Sequence, residues 1–230
     1  MQTLIHKTAL ITQSEKGLGK IVAERLAALG ATIILHYSGE PFAINQTLSN
    51  TEAMGATVFT VNQDLDTAGG AEQLFQSIFS RVARIDIIVV NAATKSSELS
   101  DSSEDMIRKI LVCASDVIEE KGHIIYLAPV INSSHSEEKH IGISRQIAAL
   151  IKELSLKIGP DGSTINTIIP YAVNHIDSTA QDPGSREELI GNTVLKRLTE
   201  PEEVANLAEF LATDLSSVIT GQHFTTNRSH

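Results

Sequence analysis

Gly17 and Gly19 close a short turn, Gln13-Ser14-Glu15-Lys16-Gly17-Leu18-Gly19, between an aliphatic run that ends at Thr12 and an amphipathic run that follows. Residues of this type and order can cradle a phosphate. Glycines let the backbone approach a pyrophosphate closely, and the first N–H groups of the next helix, with its positive end, face the anion. Tyr171 follows Pro170 at the end of another aliphatic run. Ligands bind at the carboxyl ends of parallel strands, so Tyr171 is expected to line a pocket. Other reactive groups lack company. His123, His135 and His175 have no acid or cysteine at metal-ligand spacing, so no metal site is expected. Cys113 is the single cysteine, which rules out an internal disulfide. It falls inside a helical pattern and is expected to be buried and inert. Tyr126 lies within a strand pattern and reads as core.

The elements that must position these groups follow from periodicity. Strands are expected at residues 8–12, 31–37, 57–61, 86–90, 123–127, 164–169 and near 222–226. Helices are expected at 20–29, 41–54, 70–82, 104–120, 141–158, near 185–189, and at 201–212. Leu18, Ile21, Val22, Leu26 and Leu29 recur at helical spacing and should pack on the sheet, as should Leu74, Phe75, Ile78 and Val82. Strands alternating with helices predict a parallel sheet covered on both faces, with right-handed crossovers.

With 230 residues, 42% hydrophobic and 20% charged, the chain reads as one globular α/β domain over 1–230. A net charge of −10 with no basic cluster argues against nucleic acid and anionic membrane as partners. No apolar run reaches spanning length. Residues 1–7 are too short and polar for a secretion signal, so a cytoplasmic location is expected.

Several marks, in order, resemble the short-chain dehydrogenase/reductase family, within it the ketoacyl-reductase-like group. Thr12 to Gly19 is similar to the Thr-Gly-x-x-x-Gly-x-Gly cofactor turn, with Lys16, Gly17, Leu18 and Gly19 inside it. Asp64-Leu65 stands where the family has an aspartate that contacts adenine. Asn91-Ala92-Ala93 resembles Asn-Ala-Gly, and Ile165 to Pro170 resembles Val-Asn-x-x-x-Pro. Residues 197–205, 210–214 and 219–222 match the family's carboxyl-terminal region. The resemblance implies a doubly wound Rossmann sheet of this family's type and an NADP or NAD site.

The departures lie at the chemistry. The resemblance implies a tyrosine acid, a lysine four residues later that lowers its pKa, and a serine that orients the carbonyl. The serine pair is replaced by Ala128-Pro129. One register puts His140 and Ser144 at the tyrosine and lysine positions; another puts Ile141 and Arg145 there. Residues 94–121 contain no asparagine, and Asp101 is nearest by count to the family's catalytic asparagine. The first glycine of the cofactor turn is Gln13, and Glu15 adds negative charge. If that position needs positive φ, a non-glycine costs about 1–2 kcal/mol. Ala93 and Tyr171 replace glycines on the nicotinamide side. His36-Tyr37 carries no acid for a free ribose 2′-OH, and Lys16 stands where NADP-dependent members have an arginine.

These departures imply a non-catalytic or crippled reductase with NADP binding that is weak or absent. It would act as a homo-oligomer, or as a hetero-oligomer with an active paralogue. Ile143, Ile147, Leu150, Ile151 and Leu154 would supply the apolar face. Alternatives are an NADP-dependent oxidoreductase using His140 as acid or base, and a nucleotide-binding sensor without chemistry. Arg145 is also similar to the arginine of the halohydrin dehalogenases, whose serine and tyrosine this chain lacks.

Overall fold

The computed structural model describes residues 3–92, 101–131, 143–174 and 183–228. Its strands are β1 (Thr8–Ile11), β2 (Thr32–Tyr37), β3 (Val58–Asn62), β4 (Ile87–Asn91), β5 (His123–Leu127), β6 (Thr164–Ile169) and β7 (His223–Thr225). Its helices are α1 (Gly17–Ala28), α2 (Asn45–Ala53), α3 (Gly70–Phe79), α4 (Asp101–Val117), α5 (Arg145–Ile158), α6 (Pro183–Gly191) and α7 (Pro201–Leu211). The strands come from continuous aliphatic runs. Every residue of β4, β5 and β6 is buried, as a strand covered on both faces requires.

The seven strands form one parallel sheet in the order β3-β2-β1-β4-β5-β6-β7. Strand order reverses between β1 and β4, and the crevice outside their carboxyl ends is the natural ligand site of such a sheet. The two faces have separate cores. Leu18, Val22 and Leu26 of α1 share one with Val204, Ala208 and Leu211 of α7. Leu74, Phe75 and Ile78 of α3, Ile107 and Leu111 of α4, and Ile147 and Ile151 of α5 share the other. Each such aliphatic or aromatic side chain contributes about 1.5–3 kcal/mol by leaving water.

Several boundaries differ from the sequence expectation, four of them at elements that bear on the site or its cores. Helix α1 starts at Gly17 rather than residue 20, so both glycines lie in its first turn. Helix α3 stops at Phe79, and Val82 closes a further turn onto Ile78 O, partly buried against the core. Helix α4 runs three residues earlier, with Asp101 its first residue. Helix α5 starts at Arg145, not 141, because Ser144 caps it: its backbone is extended and its Oγ accepts the Ile147 N–H at 3.1 Å.

The apolar stripe of α5 packs mainly inward. Ile147, Ile151 and Leu154 are buried in the core, and Ile143 and Leu150 pack partly buried against it. The apolar stripe of α5 covers this chain's own sheet. The large hydrophobic residue that α5 exposes is Leu156, at 74%.

Helix α7 is secured at its start. Glu203 accepts the Glu200 N–H at 2.9 Å and pairs with Arg197 through bonds of 2.7 and 2.6 Å. The Arg197 hydrogen bonds, then the Glu200 N–H, draw its carboxyl down to about 2. A lowered carboxyl pKa stabilises the fold above the ordinary carboxylate value, and that stabilisation is lost as pH falls through the folded value. Glu203→Ala is expected to lower the thermal midpoint modestly at neutral pH, because the pair is exposed. The gap should close as pH approaches 2. An unchanged gap in acid would show that the loss is packing rather than charge.

Candidate functional site

The switch point between β1 and β4 gathers most of the predicted binding residues. Thr12 follows β1, and its Oγ accepts the Asn91 N–H at 2.9 Å. Asn91 ends β4, and its Nδ2 donates to Gln13 O at 3.0 Å. Ala92 is buried and donates its N–H to Leu127 O at 3.0 Å, which ties β4 to β5 beside the turn. Gly19 lies against this lock. A Cβ there would stand 2.6 Å from Asn91 Nδ2 and 2.6 Å from Gln13 O, so only glycine fits. Gly17 has φ +59°, a conformation glycine adopts without cost. Leu18, in the first turn of α1, is buried and anchors the helix start.

Gln13 does take the left-handed backbone expected of a glycine, with φ +48°. His36 answers it. Its side chain, fully buried at the end of β2, accepts the Gln13 N–H on Nδ1 at 3.0 Å and meets Gln63 O with Nε2 at 2.8 Å. A backbone N–H can only donate and a carbonyl only accept, so the ring is neutral with its proton on Nε2. Burial lowers its pKa to about 4, which keeps it so. In the sequence His36 stands out only for bringing no acid to a ribose, and this inward role is not evident there. The signal was Gln13 itself: a non-glycine at that position needs a buried partner.

The mouth of the turn is mixed in charge. Lys16 is exposed and forms the extended N-cap of α1, and no side chain caps that helix. Glu15 is half-buried, with Oε2 unpartnered. Burial pushes its carboxyl up, while its own backbone N–H and Lys16 pull partly back. At the end of β3, Asp64 is exposed and its Oδ1 accepts the Asp66 N–H at 3.0 Å, while Leu65 is buried. Asp64 is thereby oriented at the carboxyl edge by its own turn.

The other predicted group does not assemble a proton relay among the described residues. Ala128 and Pro129 are buried after β5, and the Ala128 N–H bonds to Ile168 O. Ser144 caps α5 and donates its Oγ–H to Glu104 Oε1 of α4 at 2.6 Å, a link the sequence reading missed. Arg145 is exposed on the first turn of α5. His140, Ile141, Ala93, His135 and His175 lie outside the described residues. Tyr171 is 4% exposed, bridged to Ile131, with Arg228 over its ring at 5.4 Å. It is packed rather than open to a pocket as expected. Tyr126 is fully buried, as core, and its hydroxyl has no partner among the described residues. Burial raises its pKa and the Glu104 charge raises it further. Cys113 is half-buried, its thiol pushed up by burial and then by Glu72 and Asp116, in keeping with an inert role. His123 sits at the opposite end of β5, bonded to Thr164 Oγ1 at 2.9 Å. Among the described residues no His, Cys, Asp and Glu cluster could hold a metal, and no helix is long and apolar enough to cross a membrane.

Comparison with known proteins places this arrangement. A family model described as enoyl-(acyl carrier protein) reductase matches residues 12–228. The chain is 21% identical over 234 residues to a 3-oxoacyl-[acyl-carrier-protein] reductase of Staphylococcus epidermidis, covering 95% of this chain and 96% of that one. It is 27% identical over 240 residues to an uncharacterized oxidoreductase of Bacillus subtilis, covering 97% and 98%. Among solved structures, a 3-oxoacyl (acyl-carrier-protein) reductase from Agrobacterium tumefaciens C58 with NADP bound is 27% identical, with a TM-score of 0.78 over 96% of this chain and 93% of that one. An angucycline C-6 ketoreductase with bound NADP shares the fold at a TM-score of 0.79 and 24% identity, over 97% of this chain and 95% of that one.

Proposed function

Because this chain belongs to the short-chain dehydrogenase/reductase family, we propose that it binds NADP and does not reduce a carbonyl by the family's tyrosine route. The observation that carries the reading is a contrast. The phosphate turn is intact in its backbone, whereas all three tyrosines, Tyr37, Tyr126 and Tyr171, are buried at 8%, 0% and 4% and none lies on α5. An acid for carbonyl reduction must touch the substrate and have a pKa near working pH. Tyr126, buried and shifted upward, meets neither condition. Losing general acid catalysis alone costs roughly 10²–10⁴ in rate.

The turn fits a dinucleotide on three counts. Gly19 leaves no Cβ between α1 and the Gln13–Asn91 lock. The first turn of α1 carries no side-chain cap and no acid, so its N–H groups are free to receive a pyrophosphate. Lys16 at its mouth offers a cation to a 2′-phosphate, and neither His36 nor Tyr37 offers an acid to a free 2′-OH. NADP is therefore preferred to NAD. Weak or absent binding was expected from Gln13 and Glu15; the His36 bond removes the first objection and leaves the second. When bound, the cofactor would supply a hydride donor or acceptor, and the chain's own part is to hold it.

Thermal unfolding with NADP, NADPH, NAD and NADH tests this. Ligand at about one hundred times its dissociation constant adds about 2.7 kcal/mol. A clear rise in the midpoint with the phosphorylated pair, and a smaller one with the others, is expected. No rise with any of the four overturns the reading. Glu15 supplies a further prediction. Its carboxyl already titrates above its ordinary value, and nearby phosphates favour the protonated form more. NADP affinity should rise as pH falls toward that value. Glu15→Gln should bind more tightly at neutral pH and flatten the profile; an unchanged slope would place Glu15 away from the phosphates.

A further inference from the structure

Resting on that reading and deepening it, we propose that His36 is a positioning residue that takes the place of the turn's missing glycine: its Nδ1 holds Gln13 in the left-handed conformation and so sets where α1 presents its first N–H groups. Gln13 is non-glycine at φ +48°, a conformation that persists only where the surroundings over-determine it. Two buried side chains do so. His36 takes its N–H at 3.0 Å and Asn91 gives to its carbonyl at 3.0 Å. His36 is itself fixed from the far side by Gln63 O at 2.8 Å, which ties the turn to the end of β3. The following residue repeats the tie: Ser14 N–H and Ser14 Oγ–H both donate to His36 O at 2.9 Å, and Thr47 Oγ1 donates to Ser14 O. The turn is thus bolted to β2 by one residue, through its ring and its carbonyl. The same inward ring leaves the end of β2 without a side chain directed at the ribose from this position, so the turn's positive charge there comes from Lys16.

The test is a double-mutant cycle between His36→Ala and Gln13→Gly, read by NADP affinity and, separately, by thermal unfolding without ligand. A buried N–H left without its acceptor, on a strained residue, should weaken NADP binding about tenfold in His36→Ala. Gln13→Gly adopts the left-handed backbone unaided, so adding it to His36→Ala should restore most of that affinity. His36→Asn, whose Oδ1 can accept the same N–H, should bind nearly as the parent does. Imidazole ¹⁵N spectra should show His36 as the Nε2–H tautomer. The inference is overturned if His36→Ala is as impaired with Gln13→Gly as without it, or if His36 carries its proton on Nδ1. If the parent chain binds no NADP, the functional reading fails, and the unfolding cycle still decides the inference. A larger midpoint loss from His36→Ala in the Gln13→Gly background supports it, because a Gln13 turn recovers its strain energy by relaxing when the acceptor goes and a glycine turn has none to recover; an equal loss refutes it.

Discussion

Gly19→Ala is expected to remove NADP binding and to lower the stability of the chain. The added Cβ would meet Asn91 Nδ2 and the Gln13 carbonyl, each at 2.6 Å. Two adjustments are open. Asn91 swings away, breaking its 3.0 Å bond to Gln13 O and freeing a strained turn. Otherwise the start of α1 shifts outward and takes the phosphate-facing N–H groups with it. Overpacking of this kind costs about 1–3 kcal/mol, and either route displaces the groups that receive the anion. The thermal midpoint should fall, and NADP at a concentration that saturates the parent should give no rise. Gly159→Ala is the control, because a Cβ there meets nothing within 4 Å and its φ is not positive. A Gly19→Ala chain that binds NADP like the parent would mean the phosphates do not lie against this turn.

The second large effect is at the other end of the sheet. Asp86 is 1% exposed and precedes β4. It accepts the Thr8 N–H at 2.9 Å and Arg84 Nε at 3.2 Å, and lies 3.4 Å from Lys7 Nζ. It therefore clamps the starts of β1 and β4, the two strands that flank the switch point. Asp86→Ala leaves a part-buried N–H and two cations without their acceptor. Breaking a buried ion pair costs about 3–5 kcal/mol, and the partial exposure of Lys7 and Arg84 puts this case near the lower figure. Burial by itself would raise the Asp86 carboxyl, but the Arg84 hydrogen bond, the Thr8 N–H and Lys7 outweigh it and hold the pKa below the ordinary range. The sign follows: the stabilisation is complete above the unfolded value of about 3.9 and is lost as pH falls through the lower folded value. Denaturant unfolding of Asp86→Asn should show a deficit at pH 7 that shrinks in acid. A deficit constant with pH would show that Asp86 contributes shape and not charge.

How far these features were legible in the sequence depends on which force set them. The strands were legible because a parallel strand buried on both faces leaves an unbroken aliphatic run, as in Ile87 to Val90 and Ile124 to Leu127. The start of α1 was misplaced because Gly17 and Gly19 read as loop punctuation. Gly19 belongs to the helix because its close approach to Gln13 O excludes a Cβ, and Gly17 supplies the left-handed φ at its start; neither constraint has a local signature. The start of α5 was misplaced because Ile141 and Ile143 continue the helical spacing past Ser144, and a cap is decided by one hydroxyl rather than by periodicity. The stripe Ile147, Ile151 and Leu154 announced a buried face, but periodicity does not say whether a helix covers its own sheet or another chain. His36 was hidden most fully. Inside Thr32 to Tyr37 it reads as a polar residue at a strand end, and its inward ring follows only from what Gln13 requires.

Whether the chain holds the cofactor without consuming it is decided by titrating it into NADPH and following the nicotinamide absorbance with ketones, aldehydes and 3-oxoacyl thioesters present in turn. Saturable binding with no loss of NADPH beyond the protein-free rate is expected for every carbonyl. Sustained oxidation of NADPH with one alcohol formed per NADPH consumed would contradict that. If His140→Ala then abolished it, the chain would be an active reductase with a rearranged acid.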